Sequence, residues 1–365
     1  MSNDGALWAL GTMSGTSLDG VDAALLKTDG VRIFEFGETA YRAYSDEERH
    51  VLQAALGKEN GPEVAAAEDV IEDAHIALLS DMPRADLVGF HGQTTVHLPE
   101  AGRTCQIGNG ARLADALGVP VVWDFRSADV GLGGQGAPLA PFYHFALAKH
   151  LGLTAPMAFL NIGGVANITW LDPGQDDAAR AGACLAFDTG PGNALIDDLS
   201  RARLGQTMDR DGVLTGSGDV NEAVLTALLS DPFFGRPPPK SLDRDHFAGW
   251  LELVAPLDDA SAVATLAAGT VSAIAVGLDA CPSPPERLLV AGGGRKNPAL
   301  MEMLRGVLDC PVPSVDEVGL DGDMLEAQAF AYLAVRVKRG LPTSAPGTTG
   351  VATPVGGATI SGEGS

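Results

Sequence analysis

Apolar residues in this chain gather in short runs, several of which end at glycine, and the runs alternate with stretches of helical period. Leu7–Leu10, Val21–Leu26 and Ile33–Phe36 read as strands. A helix is predicted from Ser45, where Ser45 and Glu48 stand at capping-box spacing. A second helix follows from Glu63 to Leu79. Then come a short strand at Leu87–Phe90, a helical stretch at Arg112–Leu117, a strand at Val119–Trp123 and a helix from Pro141 to Leu151.

The opening pattern then recurs. Met157–Ile162, Gly163-Gly164 and Val165–Leu171 read as strand, glycine turn and strand. An extended Cys184–Phe187, a loop at Asp188–Asn193 and a helix from Ala194 follow. Two halves that each open on a hairpin and continue into strands and helices predict a duplicated α/β unit. Asp231–Arg244, rich in proline and charge, reads as an irregular excursion. Ala262–Leu278 is apolar all round, the mark of a buried helix. Strand Leu288–Ala291 leads through Gly292-Gly293-Gly294 to a helix near Asn297-Pro298, and a last helix spans Asp323–Lys338. The linear division is an α/β domain over 1–150, a second over 151–341 whose last helix is free to pack back on the first, and a loosely ordered Gly/Thr/Pro-rich tail over 342–365.

Composition narrows the class. The chain is 45% hydrophobic with a formal net charge of −23, which disfavours nucleic acid as a partner but not a magnesium nucleotide held by backbone dipoles. No apolar run approaches the ~18 residues of a membrane span, and the first residues lack the basic start of a signal peptide, so the expected location is cytoplasmic, off the membrane. Cys105, Cys184, Cys281 and Cys310 lie far apart with no CxxC pair, so buried, reduced thiols are expected.

Candidate chemistry centres on Met13-Ser14-Gly15-Thr16-Ser17-Leu18-Asp19-Gly20-Val21-Asp22, a small-residue loop between two apolar runs. Such a loop offers close backbone approach, N–H groups and hydroxyls to a polyphosphate. No lysine follows the glycines and the next segment reads as strand, so a phosphate-binding hairpin fits better than a Walker loop. Further glycine turns follow predicted strands at Asp188–Asn193 and Gly292–Gly294. Three in this order resemble the nucleotide cleft between the two domains of the actin, sugar kinase and Hsp70 superfamily, a duplicated ribonuclease H-like fold.

The match is closer to one family. The Met13–Asp22 block, Gly89-Phe90-His91-Gly92-Gln93-Thr94, Gln106-Ile107-Gly108-Asn109-Gly110 and Asp124-Phe125-Arg126 with Gly133-Gly134-Gln135-Gly136-Ala137-Pro138 resemble the signature of the anhydro-N-acetylmuramic acid kinases. Asn161-Ile162-Gly163-Gly164-Val165-Ala166-Asn167, Asp188-Thr189-Gly190-Pro191-Gly192-Asn193 and Ala291-Gly292-Gly293-Gly294-Arg295-Lys296-Asn297-Pro298 continue it in the family's order. One departure from the wider superfamily stands out: Ala9-Leu10-Gly11 precedes Thr12 where an aspartate often leads the first phosphate loop.

The resemblance implies an enzyme of peptidoglycan recycling. With ATP and Mg2+ it opens the 1,6-anhydro bridge of its sugar with water and phosphorylates O6, giving N-acetylmuramic acid 6-phosphate and ADP. It implies Asp188 as the base that takes a proton from water, and an ATP segment over Gly15, Thr16, Ser17, Leu18, Asp19, Gly20, Val21 and Asp22. Gly292, Gly293 and Gly294 would pass close to adenine, and a homodimer is implied. The magnesium carboxylate stays open between Asp19, Asp22 and Asp188. His91, Gln93, Arg126 and Glu326 are candidate sugar contacts, with Arg126 suited to a lactyl carboxylate. Each has a plainer reading: a turn aspartate at Asp188, a tight hairpin at Gly15–Asp22, a structural histidine at His91, an ion pair between Asp124 and Arg126, a solvated acid at Glu326. An ordinary amino-sugar or hexose kinase and a chaperone-like ATPase are the rival functions.

Overall fold

The computed structural model describes residues 5–363; residues 1–4 and 364–365, the extreme ends of the first and last predicted segments, lie outside it. The strands are β1 (Leu7–Met13), β2 (Gly20–Thr28), β3 (Ile33–Ala43), β4 (Leu87–Phe90), β5 (Gln93–Leu98), β6 (Arg103–Ile107), β7 (Val121–Trp123), β8 (Met157–Ile162), β9 (Val165–Leu171), β10 (Cys184–Pro191), β11 (Leu288–Ala291) and β12 (Thr359–Ser361). They fall into two compact units. The first takes the described residues of Met1–Leu153, Asp177–Ala181 and Met324–Ser365, and the second takes Thr154–Asp176 and Gly182–Asp323.

The first unit carries a sheet ordered β12-β7-β4-β1-β2-β3. β1, β2 and β3 pair antiparallel, whereas β4 is parallel to both β1 and β7. The second unit carries β10-β9-β8-β11 with the same sense: two antiparallel pairs, then β11 parallel to β8. A parallel bridge from Val290 to Ser314 supplies the place that β7 fills in the first unit. The units therefore repeat one ribonuclease H-like topology, the duplication that the recurring hairpin pattern predicts.

Each sheet buries its apolar residues under helices. In the first unit Leu10, Val21, Val88 and Phe90 pack with Leu52 and Ile71 from the helices Asp46–Ala55 and Pro62–Ser80. The first of these begins as the sequence indicates: Ser45 Oγ accepts from Glu48 N, and the Glu48 carboxylate accepts from Ser45 N. On the other face the helix Leu325–Lys338 approaches so closely that a Cβ on Gly11 would lie 2.0 Å from Ala327 O, and one on Gly89 2.2 Å from Phe330 O. That contact explains Gly11. The helix backbone occupies the space in which a carboxylate would stand.

In the second unit Leu160, Ile168, Leu195, Ile274 and Val290 form one core with Trp250. Its central helix, Asp259–Asp279, is long and apolar enough to cross a membrane, longer than the run predicted, but most of it is buried in that core.

Three expectations need correction. The last helix packs back on the first unit, as the sequence allowed, and the described residues after it cluster there too, so the second unit ends at Asp323 and not at residue 341. The tail is not loose: β12 pairs with β7, and Thr343 and Ser344 N–H groups bond Val355 O, satisfying backbone that a free tail would leave to water. The segment after Phe187 is not a loop at once, since β10 continues to Pro191 with a bulge between Asp188 and Gly190. None of the four cysteines is in a disulfide among the described residues, and Cys184 is buried while the others are half-buried.

Candidate active site

In the first unit the loop from β1 to β2 is held from inside. Leu18 N donates to Gly15 O at 3.2 Å, and Leu18 takes a φ of 55° so that its side chain, 6% exposed, plugs the core. Gly15, Thr16, Ser17 and Asp19 are thereby left at the surface or partly covered, while Gly20 and Val21 are buried in β2. Asp19 Oδ1 accepts from Ser17 Oγ at 2.7 Å and from Gly20 N at 3.1 Å, and Asp22 sits half-buried on β2 opposite Met13.

Gln93 is tied into this loop. Its Oε1 accepts from Ser14 Oγ at 2.6 Å, and Ser14 also meets Tyr44 OH at 2.9 Å. Gln93 thus braces the hairpin, with its amide oxygen committed inside the protein. Ser14 stands in the candidate loop and Tyr44 does not, and the sequence shows neither contact because both depend on strand pairing.

The other sugar-contact candidates form a second group. His91 Nδ1 bonds Gly92 O at 2.8 Å, which puts the proton there. Nε2 then accepts from Arg126 Nη2 at 2.9 Å and Nε at 3.2 Å. Burial and the adjacent guanidinium both drive the His91 pKa well below its usual value, so the ring is neutral at pH 7. It lies against Phe330 with ring centroids 4.7 Å apart. Arg126 Nη1 donates to Gly136 O at 2.7 Å. Burial pushes the Arg126 pKa down to about 10, opposed by the charges of Glu326 and Asp129. Glu326 keeps open surface yet is crowded by protein; burial raises its carboxyl pKa and Arg126 lowers it. The expected Asp124–Arg126 pair does not form. Asp124, at φ 57°, turns its carboxylate onto Ser127 Oγ (2.6 Å), because the strand ends at Trp123 and the two residues no longer share a face.

The second unit gathers three glycine segments. The DTGPGN segment bonds the β8–β9 hairpin through Gly192 N to Gly164 O (2.9 Å), Asn193 N to Gly163 O (2.8 Å) and Asn193 Nδ2 to Ile162 O (3.1 Å). Gly292 takes a φ of 74°, and a Cβ there would lie 2.4 Å from Asn161 Oδ1, so the glycine turn lies against the same hairpin. Arg295 pins this turn: Nη1 donates to Gly292 O at 3.0 Å, Nε to Asp316 Oδ2 at 2.7 Å, and Nη2 pairs with Asp323 at 3.1 Å.

Asp188 stands at the bulge of β10. Its Oδ2 accepts from Leu242 N at 2.7 Å, and its own N–H donates to Lys240 O at 2.9 Å. Burial raises its carboxyl pKa to about 6, against the lowering effect of the Leu242 N–H. A carboxylate poised there is ionised at neutral pH and is a stronger base than an ordinary aspartate.

A family model described as anhydro-N-acetylmuramic acid kinase matches residues 8–361. The chain belongs to the anhydro-N-acetylmuramic acid kinase family. Curated members include one from Cereibacter sphaeroides, 61% identical over 99% of this chain and 98% of its own length. Another, from Ruegeria sp. (strain TM1040), is 58% identical over 99% and 96%. Among solved structures, an activator of the 2-hydroxyisocaproyl-CoA dehydratase from Clostridium difficile, with bound ADPNP, aligns with 91% of this chain and 96% of its own at 11% identity and a TM-score of 0.49. Membership in the family makes this chain a kinase, an enzyme that uses ATP.

Proposed function

We propose that this chain opens the 1,6-anhydro bridge of anhydro-N-acetylmuramic acid and phosphorylates the sugar at O6. Water adds through oxygen to C1, and its proton passes to the Asp188 carboxylate. The C1–O6 bond breaks, and O6 takes the γ-phosphoryl group of ATP, leaving N-acetylmuramic acid 6-phosphate and ADP. The observation that carries this reading is Asp188, an acid placed in the DTGPGN segment with its pKa raised to about 6 by burial. Capture of O6 by phosphorus removes the need for a strong general acid, so one base suffices.

Gly15, Thr16 and Ser17 are assigned to the phosphates, on the strength of their small, partly open loop, with Gly20 buried at its foot. Leu18 and Val21 serve that loop from the core, and Gly292, Gly293 and Gly294 are assigned to adenosine. Mg2+ prefers carboxylate oxygen, and Asp19, exposed beside the loop with Asp22 on the adjoining strand, fits that preference. The ion would neutralise phosphate charge. Arg126, Glu326 and His91 are assigned to the sugar, Arg126 to its lactyl carboxylate, with Gln93 bracing the loop. The working form is taken to be a homodimer, as the family resemblance implies, placed in the cytoplasm as the sequence suggests, and sedimentation equilibrium tests the dimer.

The test is direct. Wild type incubated with ATP and the anhydro sugar in H2(18)O should yield a sugar phosphate carrying the heavy oxygen at C1. Phosphorylation without label would instead support an ordinary sugar kinase. Absence of any sugar phosphate would remove the reading.

A further inference from the structure

Asp129 is a fully buried acid, 1% exposed, that the reaction as written does not use. Its partners are all hydrogen-bond donors. Oδ1 accepts from Gly136 N at 2.7 Å; Oδ2 accepts from Ser344 Oγ at 2.5 Å and Thr349 Oγ1 at 2.7 Å. Gly134 wraps the carboxylate so tightly that a Cβ there would lie 2.1 Å from Oδ1. Gln135 N donates to Thr349 O at 2.7 Å, which ties the same glycine loop to the C-terminal segment a second time. The loop's buried Gly136 joins the two groups: its N–H is held by Asp129 while its C=O holds Arg126 Nη1 at 2.7 Å.

A buried carboxylate is costly unless its lone pairs are filled, and a filled network of this kind fixes geometry. Here one residue, Gly136, links the acid to the guanidinium, through its N–H on one side of its Cα and its C=O on the other. We infer that Asp129 is a positioning residue for Arg126, and that Ser344 and Thr349 make the C-terminal segment a working part of the sugar side. This rests on the assignment of Arg126 to the sugar. The segment acts by fixing Gly136 C=O, which sets where the guanidinium edge not bonded to His91 faces.

The test uses the full-length enzyme. Ser344→Ala/Thr349→Val removes both hydroxyl donors and leaves Asp129 and Arg126 in place. The double variant should raise KM for the anhydro sugar about tenfold, leave KM for ATP within about twofold, and lose that effect in an Arg126→Ala background. Thr349→Ser, which keeps a donor, should behave as wild type. Should the double variant fail to fold, Thr349→Val alone gives the same split at smaller size. A lower melting temperature with KM for the sugar unchanged, or both KM values rising together, would overturn the inference. So would effects that simply multiply with those of Arg126→Ala. An Arg126→Ala enzyme with unaltered KM for the sugar would overturn it too, and would place the fault in the assignment of Arg126.

Discussion

At the scale of single residues, Asp188, the proposed base, carries a cost to the fold. Its carboxyl titrates near 6 in the folded chain against 3.8 ordinarily. Between those values the folded state binds more protons than the unfolded one, so stability is lost as pH rises through the window. Asp188→Asn should therefore be more stable than wild type at pH 7, by about 3 kcal/mol, and equal to it below pH 3.8. The same variant should lose activity by about a thousandfold, and urea unfolding beside a coupled ADP assay checks both. In the wild type, kcat/KM should fall about tenfold per pH unit below 6. Asp197 has its pKa raised to about 6 by burial as well, with smaller effects of Arg201, Asp198, Arg244 and Asp209. It is given no part in the chemistry here, so Asp197→Asn should keep the acid limb. A limb abolished in that variant would reassign the base. Asp188 was legible in the sequence because its motif is contiguous. Asp129 was not, because its partner Ser344 stands 215 positions away.

At the scale of elements, glycine decides more than propensity does. Helix Leu325–Lys338 lies on the sheet only because Gly11 and Gly89 present no Cβ to its backbone. Gly11→Ala or Gly89→Ala should cost about 3 kcal/mol or prevent folding, measured by chemical denaturation, since the atoms met are backbone and cannot rotate away. Ser45→Ala should cost about 1 kcal/mol through the lost capping box, with kinetics unchanged. The leading strands and long helices were legible from period and caps. The hairpin β5–β6 escaped because Thr94, Thr95, Thr104 and Gln106 give it little apolar alternation. β12 escaped because three residues, Thr-Ile-Ser, carry no pattern until β7 offers them an edge.

At the scale of the molecule, chain order and physical unit part company. The second unit keeps its sheet and core within Thr154–Asp323, whereas the first recruits its covering helix and edge strand from beyond Met324. A 154–323 fragment should fold cooperatively by circular dichroism. A 5–153 fragment should not, because β1 and β4 would face water where the last helix belongs. Folding of the short fragment would contradict the division.

The sequence by itself determined the repeated hairpin-first pattern, the glycine turns, the family and the acid that stands in its motif, since all of these are written in neighbouring residues. Only the tertiary structure decided why Gly11 can carry no side chain, which unit owns the last helix, that Gln93 braces the β1–β2 hairpin, and that the C-terminal segment grips Asp129. Each of those depends on groups far apart in the chain, and contact across such separations is set by packing, which local periodicity does not encode.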